Sequence, residues 1–205
     1  MKIECFKAYD LRGRVPEELN EEVAYRVGRA FVDFLSAKSV VVGHDIRLTS
    51  ASLCDALVRG LTEAGADVVH IGQCGTEEVY FATFELGVDG GICVTASHNP
   101  MDYNGMKLVQ RGSRPISNDS GLLDIREIAE SGIFKTPLSV GSVQRRDMRP
   151  EYVKHLLTYV DVNQFKPLKV VVNPGNGGAG AVVEALEPFL PLQFVKVHFQ
   201  PDGNF

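Results

Sequence analysis

"SVVVGHDIRLTSASLCDALVRGLTEAGADVVHI", residues 39 to 71, carries two hydrophobic periods in succession. Ser39 to Gly43 is a β-branched run that ends at a glycine, the pattern of a short buried strand. Thr49-Ser50-Ala51-Ser52 then offers hydroxyl N-caps ahead of Leu53, Leu57, Leu61 and Ala64, which recur at helical spacing, and Gly65 supplies the stop. Asp67 to Ile71 returns to the strand pattern. A strand, a helix and a strand in this order form the unit from which parallel sheets are built, because only a crossover of this length returns the chain to the same end of the sheet.

The same alternation extends in both directions. Upstream, Glu17 to Leu35 carries Val23, Val27, Ala30, Phe31 and Phe34 at helical spacing. Downstream come a helix over Glu77 to Leu86, a strand over Gly91 to Thr95, a strand over Lys107 to Gln110 and a helix over Asp119 to Ser131. The pattern predicts an α/β protein with a mixed, mostly parallel sheet and helices on both faces. In "KTPLSVGSVQRRDM", residues 135 to 148, proline, glycine, serine and charge replace periodicity, which reads as a linker. Beyond it lie a helix over Arg149 to Tyr159, a strand over Leu168 to Val172, a glycine loop, a helix over Ala181 to Leu190 and a strand over Phe194 to Phe199. The expected organisation is an α/β domain over 1–135, a linker over 136–148 and the beginning of a second, similar α/β domain over 149–205. A lone βαβ unit leaves apolar surface uncovered, so the second domain is expected to continue past Phe205.

The apolar share of 44% and charged share of 23% fit a globular chain with a sizeable core. The net charge of -5 is spread along the chain, and the longest basic run is Arg145-Arg146, so no nucleic-acid footprint is expected. Cys5, Cys54, Cys74 and Cys93 form no CxxC pair and read as buried, reduced thiols in a cytoplasmic protein. No signal-peptide run opens the chain and no segment is long and apolar enough to span a bilayer, so no membrane partner is expected.

Two motifs invite chemistry. Gly175, Gly177 and Gly180 match GxGxxG between a strand and a helix, but the pattern is weak without a full doubly wound sheet, and a tight strand-to-helix turn is the favoured explanation. "VTASHNPMDYNGMKL", residues 94 to 108, places Ser97 and His98 just past a strand end, where ligands of α/β sheets bind. Thr95 and Asn99 occupy the glycine positions of a hydrolase elbow, so that reading fails. Neighbours on an extended segment point to opposite sides, which makes His98 a poor base for Ser97. Asn99-Pro100 and Asn104-Gly105 are also ordinary turn dipeptides. Yet His98, Asn99 and Lys107 lie within ten residues of the hydroxyl, and Arg12 and Arg47 stand in the polar stretches "AYDLRG" and "GHDIRLTS". Cations beside a hydroxyl suit phosphoryl transfer better than acyl transfer, because they offset the charge of the moving group.

"TASHNPMDYNGMKL" resembles the active-site serine loop of the α-D-phosphohexomutases, and "FKAYDLRG" resembles that family's opening motif. The likeness runs on through "GHDIRLTS", "GTEEVYFATFELGVDGG", "NPGNGGAG" and "PDGNF", and its wording is most similar to the bacterial phosphomannomutase branch. The resemblance implies that Ser97 is the residue phosphorylated in the active enzyme. It implies donation to a hexose monophosphate, reorientation of a hexose 1,6-bisphosphate, which also serves as activator, and interconversion of mannose 6-phosphate and mannose 1-phosphate. It casts His98, Lys107 and Arg12 as catalytic groups and Tyr9, Arg47 and Asn99 as substrate or phosphate contacts. It implies Mg2+ bound to Ser97 through its phosphate, with the other ligands expected beyond Phe205, since no DGDGDR-like segment is present. His44 departs from the arginine common at that place in the family. The expected partners are a phosphorylated hexose and the remaining domains of the parent protein, with little turnover by this chain alone. Phosphoglucomutase or phosphoglucosamine mutase activity is the alternative within the class, and a non-catalytic phosphosugar-binding module is the alternative outside it.

Overall fold

The structure, a computed structural model, describes residues 1–204. Along the chain run β1 (Leu11–Arg14), α1 (Glu21–Leu35), β2 (Ser39–His44), α2 (Ser50–Glu63), β3 (Asp67–Gln73), α3 (Thr76–Glu85), β4 (Gly90–Val94), β5 (Tyr103–Gln110) and β6 (Arg114–Pro115). They are followed by α4 (Leu122–Ser131), β7 (Val143–Arg145), α5 (Arg149–Leu157), β8 (Lys169–Val172), α6 (Ala179–Leu186) and β9 (Gln193–Lys196).

The first sheet has the order β1-β5-β4-β2-β3-β7, with β6 beside β5. The unit read over 39–71 is present as written: β2 and β3 pair in parallel, and β4 joins the other side of β2, also in parallel. The antiparallel part begins where β4 runs into β5 through a short loop, since a connection too short for a crossover forces the chain to double back. The sheet is therefore mixed, as expected, with β1, β5 and β6 forming its antiparallel half.

Helices cover both faces. One face packs Val40, Val42 and Ile92 against Phe31, Leu53, Leu57, Leu61 and Ile125 from α1, α2 and α4. The opposite face sets Val41 and Cys93 against Val79 and Ala82 of α3. Where α1 crosses α2, a Cβ on Gly28 would lie 2.5 Å from the Leu57 carbonyl, so glycine permits the close approach. The helix expected from Glu17 begins instead at Glu21, because Asn20 caps it by accepting from the Val23 amide at 3.1 Å and Ser36 closes it in the left-handed region.

The segment read as a linker over 136–148 contains β7, which pairs in parallel with β3 as the sheet's edge. Three exposed residues are too few to show a period, and only the neighbouring strand makes them a strand. In the second unit β8 and β9 pair in parallel, with α6 between them in the chain. Leu168, Val171 and Phe189 remain exposed there. Helix α5 spans the two units: Tyr152 and His155 pack on Phe81 of α3, and Arg149 donates to the buried Glu78 at 3.1 Å. In the glycine loop before α6 the Gly177 amide donates to the Pro174 carbonyl at 3.0 Å, which accords with a tight turn, and the Asn176 amide donates to the His198 carbonyl of the segment after β9.

All four cysteines are buried and free, and among the described residues no helix is long and apolar enough to cross a membrane. Midway along β3 the His70 ring accepts the Gly72 amide at Nδ1 and faces the Cys54 Sγ through Nε2 at 3.4 Å. Burial, His44 and Arg145 lower its pKa below the ordinary 6.5, with Asp55 opposing. A depressed folded pKa means that the unfolded chain takes up the proton first. Stability contributed by neutral His70 is therefore complete above about pH 6.5 and falls as pH drops toward the folded value. Denaturant melts from pH 7.5 to 5 are expected to show this decline and to flatten in His70→Gln; an unchanged slope in the variant would count against it.

Candidate active site

The serine loop occupies residues 95–102, between β4 and β5. Ser97 sits just past the carboxyl end of β4 with φ 53, a left-handed conformation uncommon outside glycine and asparagine. Its amide donates to Thr95 Oγ1 at 2.9 Å, and the Asn99 amide closes a turn on the Ala96 carbonyl at 3.1 Å. The hydroxyl consequently stands exposed at the tip. This local geometry overturns one sequence expectation. The segment is a turn rather than extended, so His98 Nδ1 comes to 3.4 Å from Ser97 Oγ and the two face one another.

The loop is anchored from beneath. Arg47, only 4% exposed, donates through Nη1 to the carbonyls of Pro100 at 2.7 Å and Tyr103 at 2.8 Å. Its Nη2 donates to the carbonyls of Ser97 at 3.0 Å and Asn99 at 2.6 Å. A planar fork of donors is the side chain suited to gathering several carbonyls at once. Burial draws the Arg47 pKa down, while the Asp45 carboxylate beside it acts in the opposite direction. Asp45 in turn accepts the Arg47 amide at 2.9 Å and the Ser50 hydroxyl at 2.5 Å. Asn104, fully buried, donates to Thr49 Oγ1 and Ser50 Oγ, both at 2.9 Å.

Asn104-Gly105, read as a turn dipeptide, lies instead inside β5, opposite Gly13 and Arg12 of β1. The Asn104 side chain takes up polar partners in the core, and a Cβ at Gly105 would collide with the Leu11 carbonyl and approach Arg12 Cδ to 3.1 Å. Here glycine makes room for the neighbouring strand and for the Arg12 side chain.

Arg12 extends toward the loop, with Nη1 3.5 Å from Asn99 Oδ1, and its Nε and Nη2 donate to Asp10 Oδ2 at 3.0 and 2.9 Å. Lys107 Nζ reaches the same oxygen at 3.2 Å. The fold thus joins Ser97, His98, Asn99, Arg47, Arg12 and Lys107 in one contact network, while Tyr9, 78% exposed, stands on the preceding turn outside it. Asp10, Asp45, Ser50 and Asn104 are site residues that the sequence does not mark as such: Ser50 reads there as a helix cap and Asn104 as part of a turn. Asp10 lies within the quoted "AYDLRG", but its partner Lys107 becomes visible only from the β1–β5 register.

The loop opens on a cleft of about 370 Å³ lined by Arg47 and residues 97–101, with Asn204 contributing from the second unit. Among the described residues no group of three or more His, Cys, Asp or Glu is arranged to hold a metal ion. The oxygen donors present therefore do not by themselves complete an Mg2+ site.

A mixed α/β sheet here brings an exposed hydroxyl and an imidazole past the end of β4 together with Arg12 of β1 and Lys107 of β5, a set of side chains of the kind suited to a phosphoryl group. Residues 4–136 match the model of phosphoglucomutase/phosphomannomutase, alpha/beta/alpha domain I, and the chain belongs to that family. It is 56% identical over 211 residues to a phosphomannomutase of Salmonella typhimurium LT2 and 55% identical over 211 residues to one of Escherichia coli K12. Each comparison covers 100% of this chain and 46% of the relative, so the chain spans about half the length of the curated relatives it matches. The crystal structure of a phosphoglucomutase/phosphomannomutase family protein from Burkholderia thailandensis superimposes with a TM-score of 0.89 at 36% identity, over 100% of this chain and 46% of that one.

Proposed function

We propose that the protein containing this chain is a phosphohexomutase that interconverts mannose 6-phosphate and mannose 1-phosphate through a phosphoserine at Ser97. The observation that carries this reading is the exposed Ser97 hydroxyl, presented at the end of β4 by a loop whose carbonyls a buried guanidinium gathers. Likeness to proteins named phosphomannomutase supports the choice of sugar.

In the priming direction Ser97 Oγ forms a bond to the phosphorus of a hexose 1,6-bisphosphate, and the bond from phosphorus to the sugar oxygen breaks. The serine proton passes to His98, whose Nδ1 faces Oγ, and the released sugar oxygen takes up a proton. In the reverse direction phosphoserine returns the group to the free hydroxyl of a hexose monophosphate. Arg12 and Lys107 offset charge on the moving phosphoryl group, Asn99 helps to hold Arg12 against the loop, and Tyr9 and Arg47 serve as substrate and loop supports. Mg2+ bound through the Ser97 phosphate would add further charge compensation.

The reading also places a serine-bearing unit over 1–135, a connection over 136–148 that lends β7 to the first sheet, and a second unit from 149. The remaining domains are its partners, and the compartment is the cytoplasm, in keeping with four free buried thiols. A coupled assay on a protein carrying this chain at the relatives' full length, offered mannose, glucose and glucosamine phosphates, is expected to favour mannose 1-phosphate. Preference for a glucose or glucosamine phosphate would move the assignment within the class, and binding without turnover would replace it with a phosphosugar-binding role.

A further inference from the structure

We infer that Asp10 is a positioning residue that sets the charge of the phosphoryl site, holding Arg12 and Lys107 as a counterbalanced pair so that the group they receive can also leave. This inference rests on the phosphohexomutase reading of those two cations.

The geometry is unusual for a surface carboxylate. A single oxygen, Asp10 Oδ2, accepts Arg12 Nε at 3.0 Å, Arg12 Nη2 at 2.9 Å and Lys107 Nζ at 3.2 Å. The Asp10 and Arg12 side chains are each 14% exposed and that of Lys107 30%, so solvent screens them only in part. The arrangement follows from the fold. Asp10 immediately precedes β1, in which Leu11 lies opposite Met106, and Lys107 follows Met106 in β5, so the register brings the two side chains within reach.

The cluster therefore has a single net positive charge, although two cations line the site. A dianionic phosphoryl group facing two unopposed cations would be held tightly at every stage, and equal binding of all states accelerates nothing. A reaction that delivers the group, releases the sugar to turn round and then takes the group back needs a site from which phosphate departs. Asp10 supplies that release while keeping both cations in place.

The test is titration of the 205-residue chain with inorganic phosphate, followed by NMR of backbone and Arg Nε–H groups. Four proteins are compared at low and high salt: wild type, Asp10→Asn, Lys107→Gln and the double variant. Asp10→Asn is expected to bind phosphate about fivefold or more tightly, with the gain shrinking in salt. Lys107→Gln is expected to bind at least about fivefold more weakly, and the double variant, which restores the single positive charge, to return within about threefold of wild type. A merely structural Asp10 could not tighten binding when removed. A folded Asp10→Asn with equal or weaker affinity overturns the inference. Should Asp10→Asn fail to fold, a double variant that stays as weak as Lys107→Gln overturns it alone. Phosphate binding indifferent to Lys107 would instead remove the phosphate reading of the cations, and this inference with it.

Discussion

Arg47→Ala is expected to cost about 3–5 kcal/mol of stability and to lower phosphorylation of Ser97 by at least about 100-fold. The guanidinium is buried and supplies donors to three carbonyls of the loop and to that of Tyr103 at the start of β5, at 2.6 to 3.0 Å. Removing it strands those carbonyls and leaves Asp45 without its neighbouring cation. Because Ser97 adopts a left-handed backbone, the loop does not hold its shape by local preference and depends on this anchor. Arg47→Lys should recover part of the stability and little of the activity, since an ammonium on a flexible stem cannot span the same four acceptors. Denaturant melts read the first quantity and the rate of phosphate incorporation reads the second. Full activity in Arg47→Lys would show that the charge matters and the fork does not.

Ser97→Ala is expected to abolish phosphate incorporation altogether while leaving stability within about 0.5 kcal/mol of the parent. The hydroxyl is exposed, and its contact with His98 Nδ1 is long at 3.4 Å, so little folding energy is lost with it. The backbone strain at this position is the same for alanine as for serine. The contrast with Arg47→Ala separates two roles: one variant loses chemistry with the fold intact, the other loses both. Residual labelling of Ser97→Ala at another side chain would show that the loop carries a different acceptor. His98→Gln should retain acceptance at a rate reduced about 10²-fold or more, as expected for loss of a proton acceptor.

Strong periodicity carried the reading of the parallel core. The segment 39–71 shows its strand, helix and strand because each element is buried on a face that dictates its composition. Strand β1 stayed hidden for the opposite reason: Leu11–Arg14 is short, charged and at the sheet's edge, and it becomes a strand only by pairing with β5. The same long-range pairing concealed Asn104-Gly105 within β5, where the pair serves a buried polar cluster and a close backbone approach rather than a turn. Ser97, His98, Arg12, Arg47 and Lys107 could be nominated from residue types suited to phosphate. Their joining through Asp10 and Asp45 depends on register and turn geometry, which no local pattern encodes. The left-handed turn at Ser97 likewise reversed the expectation that His98 would point away.

The central claim is that the loop after β4 presents a phosphoryl acceptor. Its most direct test is phosphopeptide mass spectrometry on a protein carrying this chain at the relatives' full length, after incubation with glucose 1,6-bisphosphate and magnesium, with Ser97→Ala as the control. A phosphoryl group confined to Ser97 and absent from the control is the result predicted here. A protein of that length that remains unmodified, or one that carries phosphate elsewhere with Ser97 bare, would contradict it.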